Sequence, residues 1–164
     1  MRSVVKPKLV KLGLLALGAL ATIPAVHAQE APGGEEAQKA VETRQSVFKV
    51  INYNSEMFFQ MMKNKAPFDA AIVQKAAGRI EVLSPMIPEM FAADTRKAGG
   101  SVKTKARDGI WTNAADFKAK SDELAKAAQA LGAAAKTGDK GATMKAAAAV
   151  GKACSGCHDN YRDK

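Results

Sequence analysis

Two cysteines and a histidine near the C-terminus are the side chains of this chain best suited to chemistry. In the segment GKACSGCHDNYRDK, Cys154 and Cys157 are three residues apart and His158 follows at once. Cys154 and Cys157 are the only cysteines in 164 residues, and the one other histidine, His27, lies near the N-terminus. Thiols form disulfides, bind metals or add to a haem, and an imidazole binds zinc or iron.

Three kinds of site compete for this segment. A structural disulfide is disfavoured, because two positions in one helical turn suit the S–S geometry poorly and so small a loop removes little unfolded-state entropy. A closed zinc site needs four ligands, and His27 is the only other Cys or His residue in the chain. A thioredoxin-type dithiol needs a neighbouring βαβ unit, and the chain has no strand pattern. Cys-x-x-Cys-His is the attachment signature of c-type haem. We therefore predict one covalent haem c, bound through Cys154 and Cys157 with His158 on the iron.

The first 28 residues have the pattern of a secretory signal peptide. Four basic residues precede an apolar run from Leu12 to about Val26, and Val26-His27-Ala28 is a small-residue cleavage pattern. An uncleaved membrane anchor is the alternative, but it needs about 20 apolar residues and this shorter run contains Pro24. We predict cleavage after Ala28, which leaves residues 29–164 as a single exported, periplasmic domain with no membrane segment. His158 is then the only histidine of the mature chain.

The charge pattern argues against a nucleic-acid-binding protein. The full chain has a net charge of +9, and four of its basic residues lie in the predicted signal peptide. The remaining lysines are scattered along the chain with few aromatic residues between them. Such a pattern is typical of a solvated surface rather than a nucleic-acid face.

The mature chain has four stretches with the periodicity of amphipathic helices. We predict helices over about 36–63, from near Asp69 to the prolines at 85 and 88, from 112 or 113 to Gly138, and over about 140–161. Residues 91–110 form a longer connection, and no segment alternates like a strand. The sequence therefore predicts an all-α protein, an antiparallel four-helix bundle. Cys154, Cys157 and His158 share one face of its last helix, because they lie at i, i+3 and i+4.

Four segments of the chain resemble the cytochrome c′ family, the class II c-type cytochromes. They are CSGCHDNYR on the last helix, TRQSVFKVI on the first, APFDAA at the start of the second and GIWTNAADFKAK at the start of the third. The resemblance covers nearly all of residues 29–164. It implies an antiparallel four-helix bundle enclosing a covalently attached haem, usually as a homodimer packed through its first two helices. Val47, Tyr53 and Met57 are the exposed candidates for that interface.

The resemblance also implies a set of haem-contacting residues. Cys154 and Cys157 match the thioether cysteines, and His158 matches the axial ligand. Arg162 matches the basic residue one turn beyond the histidine, and Arg44 and Gln45 match the pair that approaches the propionates. Trp111, Ser121 and Asp122 match positions that line or approach the haem edge. Packing alone is an equal alternative for Ser121. Because Arg44 lies one turn before an apolar position, we expect a buried anion near it.

Phe48 matches the family position that faces the open side of the iron, and Ile51 follows one turn later. Six-coordinate relatives, the low-spin cytochromes c556, place Met in this region, whereas Phe cannot bind iron. Met57 is roughly 13 Å from Phe48 along the helix axis, and Met61 and Met62 are farther. We therefore expect a five-coordinate, high-spin haem with a crowded, dry distal pocket. The alternative is a six-coordinate electron carrier with Met as the sixth ligand.

Two classes of function follow from these residues. In the first, the chain is an electron carrier whose lysines meet an acidic redox partner that the sequence does not identify. In the second, it binds small gases, NO above all and also CO, at the open coordination position. An electron carrier gains nothing from that open position, so the missing Met favours ligand binding. We do not predict an enzyme, because a peroxidase needs a distal acid–base group and His158 is already used.

Overall fold

A bundle of four long helices forms the body of the protein in the computed structural model, which describes residues 33–97 and 103–164. The helices in chain order are α1 Gly34–Met62, α2 Ala70–Leu83, α3 Met86–Met90, α4 Gly109–Thr112, α5 Ala114–Lys136 and α6 Lys140–Tyr161. The only pairing of extended backbone within the described residues is an isolated bridge between Ala106 and Arg162. The predicted all-α fold is confirmed. The predicted signal peptide lies outside the described residues.

The predicted helix boundaries agree closely with the structure. The Asp69 carboxylate accepts a hydrogen bond from the Ile72 amide at 3.0 Å, and the Asp139 carboxylate accepts one from the Ala142 amide at 2.9 Å, so both residues cap the helices that follow them. Gly138 ends the preceding helix with φ 76°, a conformation that favours glycine. Asn113 occupies the N-cap position of α5, but its side chain makes no capping hydrogen bond.

Short helices occupy two places where the sequence predicted irregular chain. Pro85 caps α3 rather than only fraying the end of α2, and Pro88 lies in the first turn of α3, where proline costs no backbone hydrogen bond. The connection after α3 contains α4 just before α5 begins. Both short helices lie at the end of the bundle that the long connection crosses, so they do not change the four-helix architecture.

Neighbouring long helices run in opposite directions. Between α2 and α5, the Ser121 hydroxyl donates to the Ser84 carbonyl at 2.5 Å, and the Gln129 amide donates to the Glu81 carboxylate at 3.2 Å. Residue numbers therefore rise on α5 as they fall on α2. Between α1 and α2, Arg79 donates to the buried Asn54 at 3.2 Å. The core between the helices consists of fully buried apolar side chains, the largest being Phe58, Ile80, Leu131, Val73 and Val150.

Helices α1 and α6 contact each other much less than the other neighbouring pairs do. They approach each other at Gly151, where a Cβ atom would lie 3.5 Å from the ring of Phe59. Toward the N-terminal half of α1 and the C-terminal half of α6, side chains on both helices stay accessible to solvent, including Phe48 and His158. This arrangement leaves room between the two helices that carry the predicted site.

The outer surface of α1 differs from the prediction at two positions. Tyr53 is 63% exposed, as expected for an interface candidate. Val47 and Met57, predicted on the same exposed face, are partly buried and pack against the core. Phe48, predicted on the inward face, is 37% exposed, whereas Ile51 is buried in the core. The helical periodicity identified the apolar positions but not how closely each is covered by its neighbours.

Candidate functional site

Cys154, Cys157 and His158 lie on one face of α6, as predicted. Cys154 and Cys157 are partly buried and pack against the core, and both are free thiols. His158 begins the last turn of the same helix and is exposed. The three side chains, at positions i, i+3 and i+4, share this face because the segment is continuous α-helix from Lys140 to Tyr161. Two thiols and an imidazole are therefore presented side by side.

Both thiols are held in the protonated form at neutral pH. Burial raises the pKa of Cys154. Burial, together with the nearby Cys154, raises the pKa of Cys157 to about 11. Reactive dithiols have the opposite property, a lowered pKa that supplies thiolate. The thiol chemistry therefore disfavours the redox-dithiol interpretation. Within residues 33–97 and 103–164, no group of three or more Cys, His, Asp or Glu residues is placed to hold a metal ion.

The imidazole of His158 is favoured in its neutral, ligating form. Partial burial lowers its pKa, and the positive charge of Arg162 lowers it further, while Asp159 acts in the opposite direction. Arg162 lies one turn beyond His158, and its backbone N–H donates to the His158 carbonyl at 3.1 Å. The predicted role of this arginine on the His158 side of a haem stays a prediction. A neutral imidazole is the form that binds iron.

Phe48 lies on the side of α1 that faces α6. It precedes Phe59 by 11 residues, just over three full turns, and His158 follows Gly151 by seven residues, just under two full turns. Because Phe59 packs over Gly151 and the helices are antiparallel, Phe48 and His158 stay on the sides of their helices that face each other. The Phe48 ring lies 6.5 Å from the ring of Phe91. The spacing therefore puts an aromatic side chain on the side of α1 that faces the helix of the candidate ligand.

Arg44 is buried, only 3% exposed, but its hydrogen-bond partners are not carboxylates. Nε donates to the Met90 carbonyl at 2.7 Å, Nη2 to the Ala93 carbonyl at 2.7 Å, and Nη1 to the Thr95 hydroxyl at 2.8 Å. The guanidinium also lies 4.5 Å from the centre of the Phe91 ring. Burial lowers its pKa, and Asp94 partly offsets this. Within the described residues, the Arg44 guanidinium is therefore hydrogen-bonded to neutral oxygens of α3 and the connection, and its role toward a haem stays a prediction.

The remaining predicted haem contacts are spread over three places. Gln45 is exposed and donates to the Lys103 carbonyl at 3.0 Å. Trp111 is half-buried, and its indole N–H donates to the Phe91 carbonyl at 2.9 Å. The Ser121 hydroxyl is occupied by the α2 carbonyl described above, which agrees with its packing alternative. Asp122 forms a surface ion pair with Lys118 at 2.7 Å. The roles of these four residues toward a haem stay predictions.

Sequence reasoning missed an aromatic and polar cluster around the end of α6. The Phe117 ring lies 5.2 Å from the ring of Phe91 and 5.1 Å from that of Tyr161. The Tyr161 hydroxyl donates to the Asp116 carboxylate at 2.5 Å, and Arg107 binds both Asp163 and the Asp159 carbonyl. The aromatic residues could have been found from their apolar character. Arg107 carried no signal, because its contacts depend on the path of the long connection.

Comparison with known proteins assigns the chain to a family. A sequence model described as Cytochrome C' matches residues 39–162. The chain belongs to the cytochrome c′ family. It is 38% identical over 125 residues to cytochrome c′ of Rubrivivax gelatinosus, a match that covers 76% of this chain and 95% of that protein. The predicted family resemblance is confirmed.

Solved structures of cytochromes c′ have the same fold. Cytochrome c prime from Shewanella frigidimarina is 38% identical, with a TM-score of 0.71 over 79% of this chain and 98% of that one. The nitric oxide complex of a mutant of cytochrome c prime from Alcaligenes xylosoxidans is 32% identical, with a TM-score of 0.67 over 82% of this chain and 100% of that one. A further similar cytochrome c′, 29% identical, is described as having a ligand-controlled dimer dissociation.

Members of the cytochrome c′ family carry covalently bound haem c, and so does this chain. The donor set fits that group. Cys154 and Cys157 lie on one helical face and form no disulfide with each other, and His158, whose pKa is lowered toward the neutral form, follows them. The facing side of α1 offers Phe48, and the two helices remain loosely packed between these residues.

Proposed function

We propose that this cytochrome c′ is a periplasmic haem protein that binds small gases, NO above all, at a five-coordinate iron. Cys154 and Cys157 form the two thioether bonds, and His158 is the axial ligand. The haem supplies an iron that accepts and releases one electron and binds a diatomic ligand. We propose no enzymatic activity. The nitric oxide complex of the Alcaligenes xylosoxidans relative supports the assignment.

The five-coordinate proposal is supported by the helical spacing, which puts Phe48 on the side of α1 that faces α6, and by its side chain, which has no atom that binds iron. Ile51, one turn further, is aliphatic and buried. Because neither side chain donates a hydrogen bond, this side favours neutral diatomic ligands over ligands that need a polar anchor. Phe48 is 37% exposed, so its ring has space to move toward solvent when a ligand enters.

A second candidate function is a six-coordinate electron carrier with Met as the sixth ligand, and the helix geometry argues against it. Met57 and Met61 are each two residues from Phe59, so they point about 160° away from the side of α1 that faces α6. Met61 is 5% exposed and belongs to the core. Met62 lies on the nearer side but three residues beyond Phe59, farther still from His158. Core packing accounts for all three side chains.

The basic residues near the site have distinct proposed roles. Arg162 lowers the pKa of His158 through its charge, so it places a cation on the His158 side of the site. Arg44 and Gln45 lie on α1 one turn or less before Phe48, and we propose that they approach the haem propionates. In this role the Arg44 guanidinium would keep the bonds to the connection described above and add a charged partner. Electron exchange with a redox partner would take place at the exposed edge of the haem.

We propose that the protein is a homodimer through α1 and α2. Every large apolar residue that is strongly exposed in the described part of the chain lies on α1, α2 or α3: Phe48, Val50, Tyr53, Ile72, Val82 and Met86. Val50, Tyr53, Val82 and Met86 group together, because the Asn54–Arg79 hydrogen bond sets α1 and α2 side by side at that level. Covering these four side chains with a second copy would bury apolar surface that a monomer leaves in water.

We also propose that residues 1–28 direct export and are removed. The support is the basic, apolar and small-residue pattern of that segment. No helix in the described ranges, 33–97 and 103–164, is long and apolar enough to cross a membrane. N-terminal sequencing of the mature protein should start at Gln29, and a start at Met1 in exported material would refute the cleavage.

Optical spectra with and without NO test the gas-binding proposal. The ferric and ferrous protein should give high-spin spectra, and addition of NO to the ferrous form should change the spectrum at stoichiometric amounts. The second candidate predicts low-spin spectra with a Met–iron charge-transfer band and little response to NO. A low-spin ferric spectrum at neutral pH would therefore refute the five-coordinate assignment while leaving the covalent haem intact.

A further inference from the structure

The last turn of α6 is joined to the connection that precedes α4. Ala106 pairs with Arg162 in the isolated antiparallel bridge. On one side of this bridge the Asp163 amide donates to the Lys105 carbonyl at 2.9 Å, and on the other the Arg107 amide donates to the Tyr161 carbonyl at 3.1 Å. The last turn of α6, which is held in this way, begins at His158.

Among the described residues of the connection, Arg107 makes the most of these contacts. Its Nη1 donates to the Asp159 carbonyl at 2.9 Å, its Nε binds the Asp163 carboxylate at 2.8 Å, and its backbone N–H binds Tyr161 as above. The last four carbonyls of a helix have no partner within the helix. Arg107 satisfies two of those four in α6, one through its side chain and one through its backbone. Its positive charge also complements the C-terminal end of the helix dipole.

A second set of contacts fixes the ring of Tyr161 in the same turn. The ring packs against the backbone of Gly109, two residues after Arg107, where a Cβ atom would lie 3.4 Å from Tyr161 Cε1. The Tyr161 hydroxyl is bonded to Asp116 at the start of α5. With both ends of the turn held, the backbone that carries His158 has little freedom to rotate about the α6 axis.

We propose that Arg107 is a positioning residue that fixes the orientation of the His158 imidazole by holding the last turn of α6. The proposal rests on the proposed role of His158 as axial ligand. An ordinary surface ion pair is the competing explanation, because the Arg107 side chain is 38% exposed and such pairs stabilise little. The bond to the Asp159 carbonyl distinguishes the two, because it acts on the helix backbone and not on a carboxylate.

The experiment compares Arg107→Gln, Arg107→Lys and Asp163→Asn in the haem-loaded protein. Arg107→Gln keeps the backbone N–H, so the bridge and the fold should survive. Lys39→Gln is the matched control, because it removes the same charge from an exposed ion pair on α1, that of Lys39 with Glu35 at 2.9 Å. Two quantities are measured: hydrogen exchange of the Arg162 and Asp163 amides, and the iron–imidazole stretching band of the ferrous protein by resonance Raman spectroscopy.

We expect Arg107→Gln to speed exchange of both amides by about tenfold and to shift and broaden the iron–imidazole band. Arg107→Lys should restore part of both effects, and Asp163→Asn should change them less, because the bond to the Asp159 carbonyl remains. Faster exchange with an unchanged band would reduce Arg107 to a structural role and overturn the proposal, as would no change in either quantity. A wild-type protein without any iron–imidazole band would instead refute His158 as ligand, and with it both proposals.

Discussion

Truncation of Phe48 to alanine tests the proposed distal side of the haem. Removing a fully buried phenylalanine costs about 3–5 kcal/mol of stability. Phe48 is 37% exposed, so its ring has less burial to lose. We therefore expect Phe48→Ala to lower the free energy of unfolding by about 2–3 kcal/mol. The protein should still fold, because the contacts of Phe58 and Ile51 in the core are unaffected.

The assay for Phe48→Ala is CO binding to the ferrous protein, followed by stopped-flow absorbance. If the ring obstructs the open coordination position, its removal should speed CO binding and tighten it by about tenfold or more, at least 1.4 kcal/mol of ligand affinity. Phe68→Ala is the matched control. Phe68 is a partly buried ring packed on the core, and it lies near Lys140, at the opposite end of α6 from His158. It should lose stability without any change in CO binding.

Substitution of Phe48 by methionine tests the same position in the opposite direction. A thioether across from His158 should bind the iron, convert the protein to a low-spin form and slow the binding of CO and NO. Equal CO binding in wild type and Phe48→Ala would show that Phe48 does not cover the iron. A high-spin Phe48→Met protein would show that this position is not within reach of it. Either result would refute the facing geometry derived from Phe59 and Gly151.

The remaining predictions concern the cofactor, the assembly and the pH dependence of stability. The haem should stay with the polypeptide in acid–acetone, with one haem mass in the mass spectrum, and Cys157→Ala should keep at most one thioether; haem lost from the wild type would contradict covalent attachment. Val82→Glu should shift sedimentation toward the monomer, and Ala130→Glu on exposed α5 should not; an unchanged Val82→Glu dimer would move the interface elsewhere. Burial and the Asp116 hydrogen bond raise the pKa of Tyr161 from 10.0 to about 12. The folded state therefore keeps a proton that the unfolded state releases, and stability should fall between those pH values in wild type but less in Tyr161→Phe, as pH-dependent urea unfolding would show.

The sequence predicted the helices and the attachment site because both depend on local spacing. In the structure Gly138 ends the chain segment of α5 and Asp139 caps the start of α6, as their residue types predicted. Cys154, Cys157 and His158 share a face for the same reason: any continuous helix places positions i, i+3 and i+4 together. The family resemblance rested in part on this cysteine–histidine segment and otherwise on three short segments of the other long helices. Properties that follow from one helix alone were therefore accessible before the structure.

The contacts of the connection were not accessible in this way. Periodicity marked Phe48 as an inward position, but its exposure depends on the loose contact between α1 and α6. It likewise marked Val47 and Met57 as outward, although both touch the core. Arg107 reaches α6 from a segment 52 residues away in sequence, as its bond to the Asp159 carbonyl shows. Long-range contacts of this kind depend on how the chain crosses the bundle, which no local pattern encodes.

Arg44 shows how the connection and the site depend on each other. A buried guanidinium bonded only to neutral oxygens bears a desolvation cost, which is why its pKa is lowered. Three hydrogen bonds and the Phe91 ring offset part of that cost. A hydrophobic residue would avoid the cost altogether, so stability of this end of the bundle alone is a weak reason for an arginine. An arginine is better explained if its charge meets an anion when the site is complete, and the propionates proposed for Arg44 are carboxylates. The same side chain would then join the cofactor to Met90, Ala93 and Thr95, and through Phe91 to the ring of Phe48.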